Sequence, residues 1–264
     1  MIGIIGGGNM GEAFIEGFLK AGIDNNEILV CEIDEKRRED LAKKYKIKVC
    51  DSIDIIGKTQ KIILIAVKPY QVKDVCEKLS NTLKNDQLLV SIAAGISLKD
   101  IKSYLKKDFE NIIRIMPNLM VAVNKGVLAT AYYQNIDKDL IFDFKHYFSK
   151  LGYIYEVEEK ILDAITAISG SGPAFVSVFI ESLADAGVYI GIPRNLALNL
   201  ALNTILGTVS MIKEKNLHPA TLKDKITSPA GTTIEGLKVL EENNFRALIY
   251  KIILETFNKT KKVK

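Results

Sequence analysis

A glycine-rich loop near the N-terminus, Gly6-Gly7-Gly8-Asn9-Met10-Gly11, matches the spacing G-x-G-x-x-G. A short apolar run precedes this loop, and a helix-like segment follows it. Glycines permit the tight turn and the close approach of backbone to a pyrophosphate, while the helix N-terminus adds N–H donors and a positive dipole. The loop therefore predicts a dinucleotide site, and a glycine-rich turn without a ligand is the alternative.

An acidic residue stands where such a site needs one. Glu32 ends the second predicted strand, about 20 residues beyond Gly11, where a carboxylate can bind the ribose 2′-OH. With Asp34 nearby, this carboxylate should repel a 2′-phosphate, so we expect NADH to be favoured over NADPH. Three basic residues of the next predicted helix could instead bind that phosphate, or simply form a solvated face: Lys36, Arg37 and Arg38.

Two further segments lie at the ends of predicted strands. Ala66-Val67-Lys68-Pro69 closes one strand, and Ala93-Ala94-Gly95 follows the next. Ligands of open α/β sheets bind beyond the carboxyl ends of the strands, so we expect the first segment and Ala94 to line the nicotinamide side. For Lys68 the alternative is a surface lysine that precedes a helix starting with proline.

A cluster of small and hydroxyl-bearing residues, Ser228-Pro229-Ala230-Gly231-Thr232-Thr233, comes immediately before a predicted helix over residues 234–243. Its hydroxyls and the N–H donors of the helix N-terminus suit an anion such as a substrate carboxylate. Ordinary N-capping by serine or threonine is the alternative. A second cluster, Ser169-Gly170-Ser171-Gly172-Pro173, interrupts an otherwise continuous helical pattern.

The predicted secondary structure differs between the two halves of the chain. Up to about Val157, apolar runs typical of buried strands alternate with helical segments, which predicts right-handed βαβ units and a parallel sheet. Beyond that point the pattern is helical throughout. We therefore predict an α/β protein: an N-terminal Rossmann-type doubly wound sheet over residues 1–157, followed by an all-α C-terminal dimerisation domain over residues 158–264. The apolar surface of those helices predicts a homodimer.

Composition excludes several classes of protein. The 264 residues carry 36 basic and 32 acidic side chains, a net charge of +4 that is not typical of nucleic-acid binding. Three cysteines without a C-x-x-C pair, and only two histidines, argue against a disulfide framework and against a metal site. The longest apolar run, residues 62–67, falls far short of the ~20 residues that span a bilayer. We expect a cytoplasmic protein that binds neither nucleic acid nor membrane.

Taken together, these segments resemble the pyrroline-5-carboxylate reductase family over essentially the whole chain. The most specific string is Ser228-Pro229-Ala230-Gly231-Thr232-Thr233-Ile234-Glu235-Gly236-Leu237. One segment departs from the family pattern: after Asn118 the family usually continues Thr-Pro, whereas this chain has Leu119-Met120, which bears on the packing of that loop and on the substrate pocket. The other matching strings are the glycine loop, Ala66-Val67-Lys68-Pro69, Ser91-Ile92-Ala93-Ala94-Gly95, Arg114-Ile115-Met116-Pro117-Asn118 and Ser169-Gly170-Ser171-Gly172-Pro173.

The resemblance implies hydride transfer from NADPH or NADH to the imine carbon of L-1-pyrroline-5-carboxylate, giving L-proline, the last step of proline biosynthesis. It implies that the Thr233 hydroxyl hydrogen-bonds the ring nitrogen, as an orienting group rather than a strong acid, and that Ser171 lies near the pocket. It implies a substrate carboxylate held on the loop before the helix, on Ser228, Ala230, Gly231, Thr232 and Thr233.

The resemblance also bears on cofactor and assembly. The family more often favours NADPH, which stands against the preference for NADH that Glu32 indicates. Its active site forms within a dimer, and decamers built from dimers are common. Two alternatives stay open: a β-hydroxyacid or 6-phosphogluconate type of dehydrogenase, and a non-catalytic dinucleotide sensor, since fold alone does not imply function.

Overall fold

The computed structural model describes residues 1–105 and 108–261, and within them eight strands form one sheet. The strands are β1 (Ile2–Ile5), β2 (Ile28–Cys31), β3 (Lys48–Cys50), β4 (Ile62–Ile65), β5 (Leu88–Ser91), β6 (Ile112–Pro117), β7 (Gly126–Tyr132) and β8 (Gly152–Glu156). Their order across the sheet is β3-β2-β1-β4-β5-β6-β7-β8. The order reverses direction at β1, which is the point where doubly wound sheets bind their ligands.

Helices connect the strands and then form the second half of the chain. The connecting helices are α1 (Asn9–Lys20), α2 (Glu35–Tyr45), α3 (Ile53–Thr59), α4 (Val72–Leu79), α5 (Leu98–Tyr104) and α6 (Lys138–Phe148). The later helices are α7 (Leu162–Ile165), α8 (Gly172–Tyr189), α9 (Arg194–Glu214), α10 (Pro219–Ile226), α11 (Thr232–Glu242) and α12 (Phe245–Lys261).

The central strands are buried on both faces, which explains their uninterrupted apolar sequences. Every residue of β1, β4 and β5 is buried. One apolar cluster covers one face of the sheet and includes Phe14, Phe18 and Phe148. A second cluster covers the other face with Ile56, Val72 and other side chains of α3, α4 and α5. The sheet thus lies between two helical layers, and the predicted α/β fold class is confirmed.

The sheet is not wholly parallel, although the sequence pattern predicts a parallel one. Strands β6 and β7 pair antiparallel, whereas all other neighbours pair in parallel. Residues 118–125 connect β6 to β7, and they include a short 3-10 helix, Leu119–Val123, and Asn124 with a φ of 58°. A parallel connection needs a crossover of a dozen or more residues, so this short link requires the antiparallel arrangement.

The described chain divides into two compact units, Met1–Gly170 with the chain from Phe257, and Ser171–Thr256. The predicted division into residues 1–157 and 158–264 stays a prediction, and its last three residues lie outside the described ones. A π-helical turn at Thr166–Gly170 follows α7, and α8 begins beyond it. The glycine–serine cluster predicted to interrupt a helix therefore lies at this turn.

The helices of the second unit expose much apolar surface. Few of their side chains are buried, and α8 and α9 expose Phe179, Leu183, Leu202 and Leu206. By length and composition alone, the helical stretches Glu159–Tyr189 and Arg194–Glu214 are apolar enough to cross a membrane, with 11% of each apolar window buried. Apolar surface of this extent requires a cover, such as a partner subunit.

Candidate dinucleotide and substrate sites

The glycine loop connects β1 to α1, and its glycines serve different purposes. Gly6 has a φ of 103°, and a Cβ there would lie 2.9 Å from the carbonyl oxygen of Ala66. A Cβ at Gly11 would lie 2.1 Å from the carbonyl oxygen of Gly6. Gly8 is different, because it is exposed and a Cβ there would meet no atom within 4 Å. The first and last glycines allow the turn and its packing on α1, and Gly8 leaves open space in front of the helix N-terminus. This arrangement fits the close approach of a pyrophosphate.

A cavity of about 820 Å³ lies beside this loop, at the carboxyl ends of the strands. It brings together most of the cofactor-site residues that the sequence predicts. Gly7, Gly11 and Asp34 are the predicted residues that do not line it. The lining residues that were predicted are Gly6, Gly8, Asn9, Met10, Glu32, Ala66, Val67, Lys68, Pro69 and Ala94.

Sequence reasoning missed other residues of the cavity wall. Ile33 follows Glu32 and is 75% exposed, although it is a large apolar side chain. Gln71, Asp74 and Lys78 also line the cavity. Their spacing of three and four residues places them on one face of a helix. That periodicity was the available signal, but it did not distinguish a cavity wall from a solvated face.

The Glu32 carboxylate is held in place by backbone groups. Its Oε2 accepts a hydrogen bond from the Gly7 N–H at 2.7 Å, and its Oε1 accepts one from the Asp34 N–H at 3.0 Å. Asp34 itself is the N-cap of α2, where its carboxylate accepts the Arg37 N–H at 2.7 Å. Glu32 therefore joins the glycine loop to the end of β2, with its carboxylate at the cavity.

Two of the three basic residues in the first turn of α2 that could bind a 2′-phosphate are engaged by protein groups. The Arg37 guanidinium donates to the carbonyl oxygen of Gly7 at 2.8 Å and forms an ion pair with Glu12. Arg38 donates to the carbonyl oxygen of Glu32 at 2.8 Å. Burial raises the pKa of Glu12, but hydrogen bonds from Arg37, Lys44 and Tyr45 outweigh this and hold that pKa at about 2. Arg37 is thus paired with a carboxylate that stays charged at neutral pH.

The hydroxyl-rich cluster forms the entry to α11. The Gly231 N–H donates to the carbonyl oxygen of Ser228 at 3.1 Å, and Ala230 has a φ of 57°. A Cβ at Gly231 would lie 2.3 Å from the Ser228 Oγ, so a side chain there would displace that hydroxyl. Helix α11 begins at Thr232, and no side chain caps its N-terminus. The N-cap position of α11 is a glycine, and not one of the serine or threonine residues of the cluster.

The predicted substrate residues lie in the second unit, separate in the chain from the cofactor cavity. Thr233 is half-buried in the first turn of α11, and Thr232 beside it is exposed. Ser171 is half-buried and directly precedes α8. The assignments of Ser171, Ser228, Ala230, Gly231, Thr232 and Thr233 to substrate stay predictions.

The string Arg114–Asn118 contacts Ser169, the first residue of the second matching string, within the first unit. Asn118 is buried, and its side chain donates to the carbonyl oxygen of Ser169 at 3.0 Å and accepts the Val127 N–H at 3.1 Å. It thereby ties the start of β7 to the π-helical turn. Leu119, where the family pattern is lost, begins the adjacent 3-10 helix with 51% of its surface exposed.

Comparison with known proteins decides the family. Residues 159–263 match the model for pyrroline-5-carboxylate reductase dimerisation, and residues 1–95 match the model for coenzyme F420-dependent NADP oxidoreductases. A pyrroline-5-carboxylate reductase of Synechocystis is 40% identical, with 99% of this chain and 97% of that protein covered. The chain belongs to the pyrroline-5-carboxylate reductase family.

Solved structures of pyrroline-5-carboxylate reductases agree with this membership. The reductase from Coxiella burnetii is 30% identical and superposes with a TM-score of 0.89, covering 100% of this chain and 98% of that one. The Plasmodium falciparum enzyme, solved with NADP bound, is 32% identical with a TM-score of 0.88, covering 99% and 97%. The predicted family is confirmed, and it favours a reductase over a β-hydroxyacid or 6-phosphogluconate type of dehydrogenase.

Proposed function

We propose that this chain reduces L-1-pyrroline-5-carboxylate to L-proline with a nicotinamide dinucleotide as the hydride donor. The observation that carries the proposal is 40% identity to a protein of that name over 99% of the chain, with the cofactor cavity intact. The bound dinucleotide would supply the hydride, and the protonated imine would accept it at carbon.

The residues of the chain then bind and orient the reactants. The open space at Gly8 and the N-terminus of α1 would hold the pyrophosphate, and Ala66 to Pro69 with Ala94 would support the nicotinamide side. The uncapped N-terminus of α11 would bind the substrate carboxylate through its N–H groups. Holding the imine carbon against the hydride donor can provide much of the rate enhancement.

For the cofactor we propose a preference for NADH. Glu32 places a carboxylate at the cavity, and Arg37 is occupied by Glu12 and Gly7, so it is not available to a 2′-phosphate. The family model that matches residues 1–95 is one of NADP oxidoreductases, and the Plasmodium falciparum enzyme was solved with NADP bound, so the preference is a direct question for experiment.

The test of the function is the loss of nicotinamide absorbance with pyrroline-5-carboxylate, run side by side with NADH and NADPH. We expect rapid oxidation and a higher kcat/KM with NADH. A tenfold tighter apparent affinity for NADPH would contradict the cofactor preference. No turnover with either, from folded protein that still binds dinucleotide, would favour a sensor or a different imine.

For the substrate we expect Thr233→Ala to lower kcat/KM by a factor equivalent to about 1–2 kcal/mol, the scale of one hydrogen bond. The reason is that the Thr233 hydroxyl would accept from the iminium N–H or donate to the product amine. Steady-state kinetics at several substrate concentrations measures this effect. Thr233→Ser, which keeps the hydroxyl, is the matched control and should retain activity; unchanged kinetics in the alanine variant would remove Thr233 from the site.

We propose a homodimer formed through the helical second half of the chain, with decamers built from five such dimers as a further level of assembly, in the cytoplasm. The match to a dimerisation region and the exposed apolar side chains of α8 and α9 support a protein cover for these helices rather than lipid. Light scattering measures the assembly, and a monomer at micromolar concentration would contradict it. Recovery of the protein in the membrane fraction would contradict the compartment.

A further inference from the structure

Two cysteines that are far apart in sequence lie side by side at the edge of the cofactor cavity. Cys31 ends β2 and Cys50 ends β3, and the two residues are register partners in this parallel pair. Neighbouring strands lie about 4.8 Å apart, within the range of about 4.4–6.8 Å between Cα atoms that a disulfide spans. Both thiols are reduced in the structure.

The two thiols share one face of the sheet. In-register neighbours point the same way, and both residues pack in the apolar cluster on the α3 and α4 side. Cys31 is 2% exposed, whereas Cys50 is half-buried on the edge strand. Cys50 is therefore the thiol that a small oxidant reaches first, with Cys31 directly beside it.

We propose that Cys31 and Cys50 form a reversible intrachain disulfide when a peroxide is the oxidant, and that this bond weakens dinucleotide binding. The disulfide is a property of the sheet alone. Its effect on the dinucleotide rests on the proposed function.

The chemistry starts at Cys50. The interaction with the neighbouring Cys31 thiol lowers the pKa of Cys50 to about 7, although burial opposes this; the same interaction and burial raise the pKa of Cys31. The Cys50 thiolate attacks the peroxide, the O–O bond breaks, and an S–OH group forms with loss of one water. The Cys31 sulfur then attacks the Cys50 sulfur, the S–S bond forms, and the oxygen leaves with a proton as a second water. Two thiols thus lose two hydrogens and two electrons to one peroxide.

Backbone hydrogen bonds connect this pair to the cofactor cavity. The Gly6 N–H donates to the carbonyl oxygen of Cys31 at 2.9 Å, and the Glu32 N–H donates to that of Cys50 at 3.0 Å. Cys31 also lines the cavity. A covalent bond between these strand ends fixes their spacing and therefore constrains the backbone acceptors of both the glycine loop and the acidic residue.

Peptide mass spectrometry tests the disulfide without any reference to activity. Trypsin places the three cysteines in separate peptides, residues 21–36, 49–58 and 74–78. After treatment of the full-length protein with hydrogen peroxide, we expect a linked pair of the first two peptides, about 2 Da lighter than the free thiols together. A reducing agent should reverse it. Cys50 oxidised by about 32 Da to a sulfinic acid beside a free Cys31, or a disulfide between two subunits, would overturn the proposal.

Fluorescence titration with NADH tests the second part, with reduced and oxidised protein compared for each variant. We expect the Kd to rise by about fivefold on oxidation, a change on the scale of one hydrogen bond. Cys50→Ser should lose this response to peroxide. Cys76→Ser is the matched control, because Cys76 is buried in α4 and should not affect the pair. An unchanged Kd in protein carrying the disulfide would overturn the regulatory part, and binding of NADH by neither form would instead count against the proposed function.

Discussion

Gly8→Ala should weaken dinucleotide binding by a factor of about 10–100 while leaving the thermal stability close to that of the parent protein. The residue has a φ of −68°, which alanine adopts without strain, and an added Cβ would meet no protein atom within 4 Å. The methyl group would instead occupy the space in front of the α1 N-terminus, where the pyrophosphate is expected to approach. The substitution should therefore lower the affinity for the dinucleotide and leave the stability of the fold nearly unchanged.

Fluorescence titration with NADH and a thermal melt of the same sample measure the two quantities separately. Gly11→Ala is the matched control, because its Cβ would lie 2.1 Å from the Gly6 carbonyl oxygen and should lower the melting temperature as well as the affinity. If Gly8→Ala binds NADH as tightly as the parent protein, the loop does not hold the dinucleotide in the expected way. A low melting temperature in Gly8→Ala would show that the open space was misassigned.

The parts of the site that could be predicted from sequence are those whose chemistry is local. The glycine loop can be predicted because its turn, its helix N-terminus and the packing of Gly11 all involve residues a few positions apart. Glu32 follows from the regular length of a βαβ unit. The string Ser228–Thr233 indicates the start of a helix for the same local reason, and α11 begins at Thr232.

The features of the fold and the site that could not be predicted depend on which strands become neighbours in the sheet. The sequence did not predict strands β7 and β8. Strand β8 lies at the edge of the sheet and exposes Tyr153 and Tyr155, so it lacks the uninterrupted apolar run of a buried strand. Register brings Cys31 beside Cys50, and nothing in the local sequence around either residue indicates this. From the count of cysteines alone, a disulfide framework looked excluded, whereas the sheet places two thiols in adjacent positions.

The buried guanidinium of Arg114, in the first unit, is another feature that could not be predicted from the sequence. Arg114 lies on β6 and is 4% exposed. Its guanidinium donates to Glu159 at 3.0 Å and lies 3.5 Å from Asp163. Glu159 in turn accepts the N–H of Leu98 at the start of α5 at 2.7 Å. One side chain of the sheet thus holds the segment that leads into the dimerisation region at residue 159.

We expect Arg114→Met to lower the free energy of unfolding by about 3–5 kcal/mol, the largest effect among these substitutions. Methionine fills a similar volume, so the main cost is electrostatic: Glu159 and Asp163 would lie close together in a partly buried site without their cation. Urea unfolding at one fixed protein concentration measures the loss, since association of subunits makes stability depend on concentration.

Neutralising the carboxylates separates this electrostatic cost from lost packing. In the triple variant Arg114→Met, Glu159→Gln and Asp163→Asn, the unpaired charges are gone and glutamine can still accept the Leu98 N–H. Replacing all members of a buried ion pair is often nearly neutral, so most of the stability should return. A loss below about 1 kcal/mol in Arg114→Met would mean that water already screens this pair as at a surface. Equal losses in the single and triple variants would mean that Arg114 acts through the packing of its aliphatic stem, and not by holding the two carboxylates together.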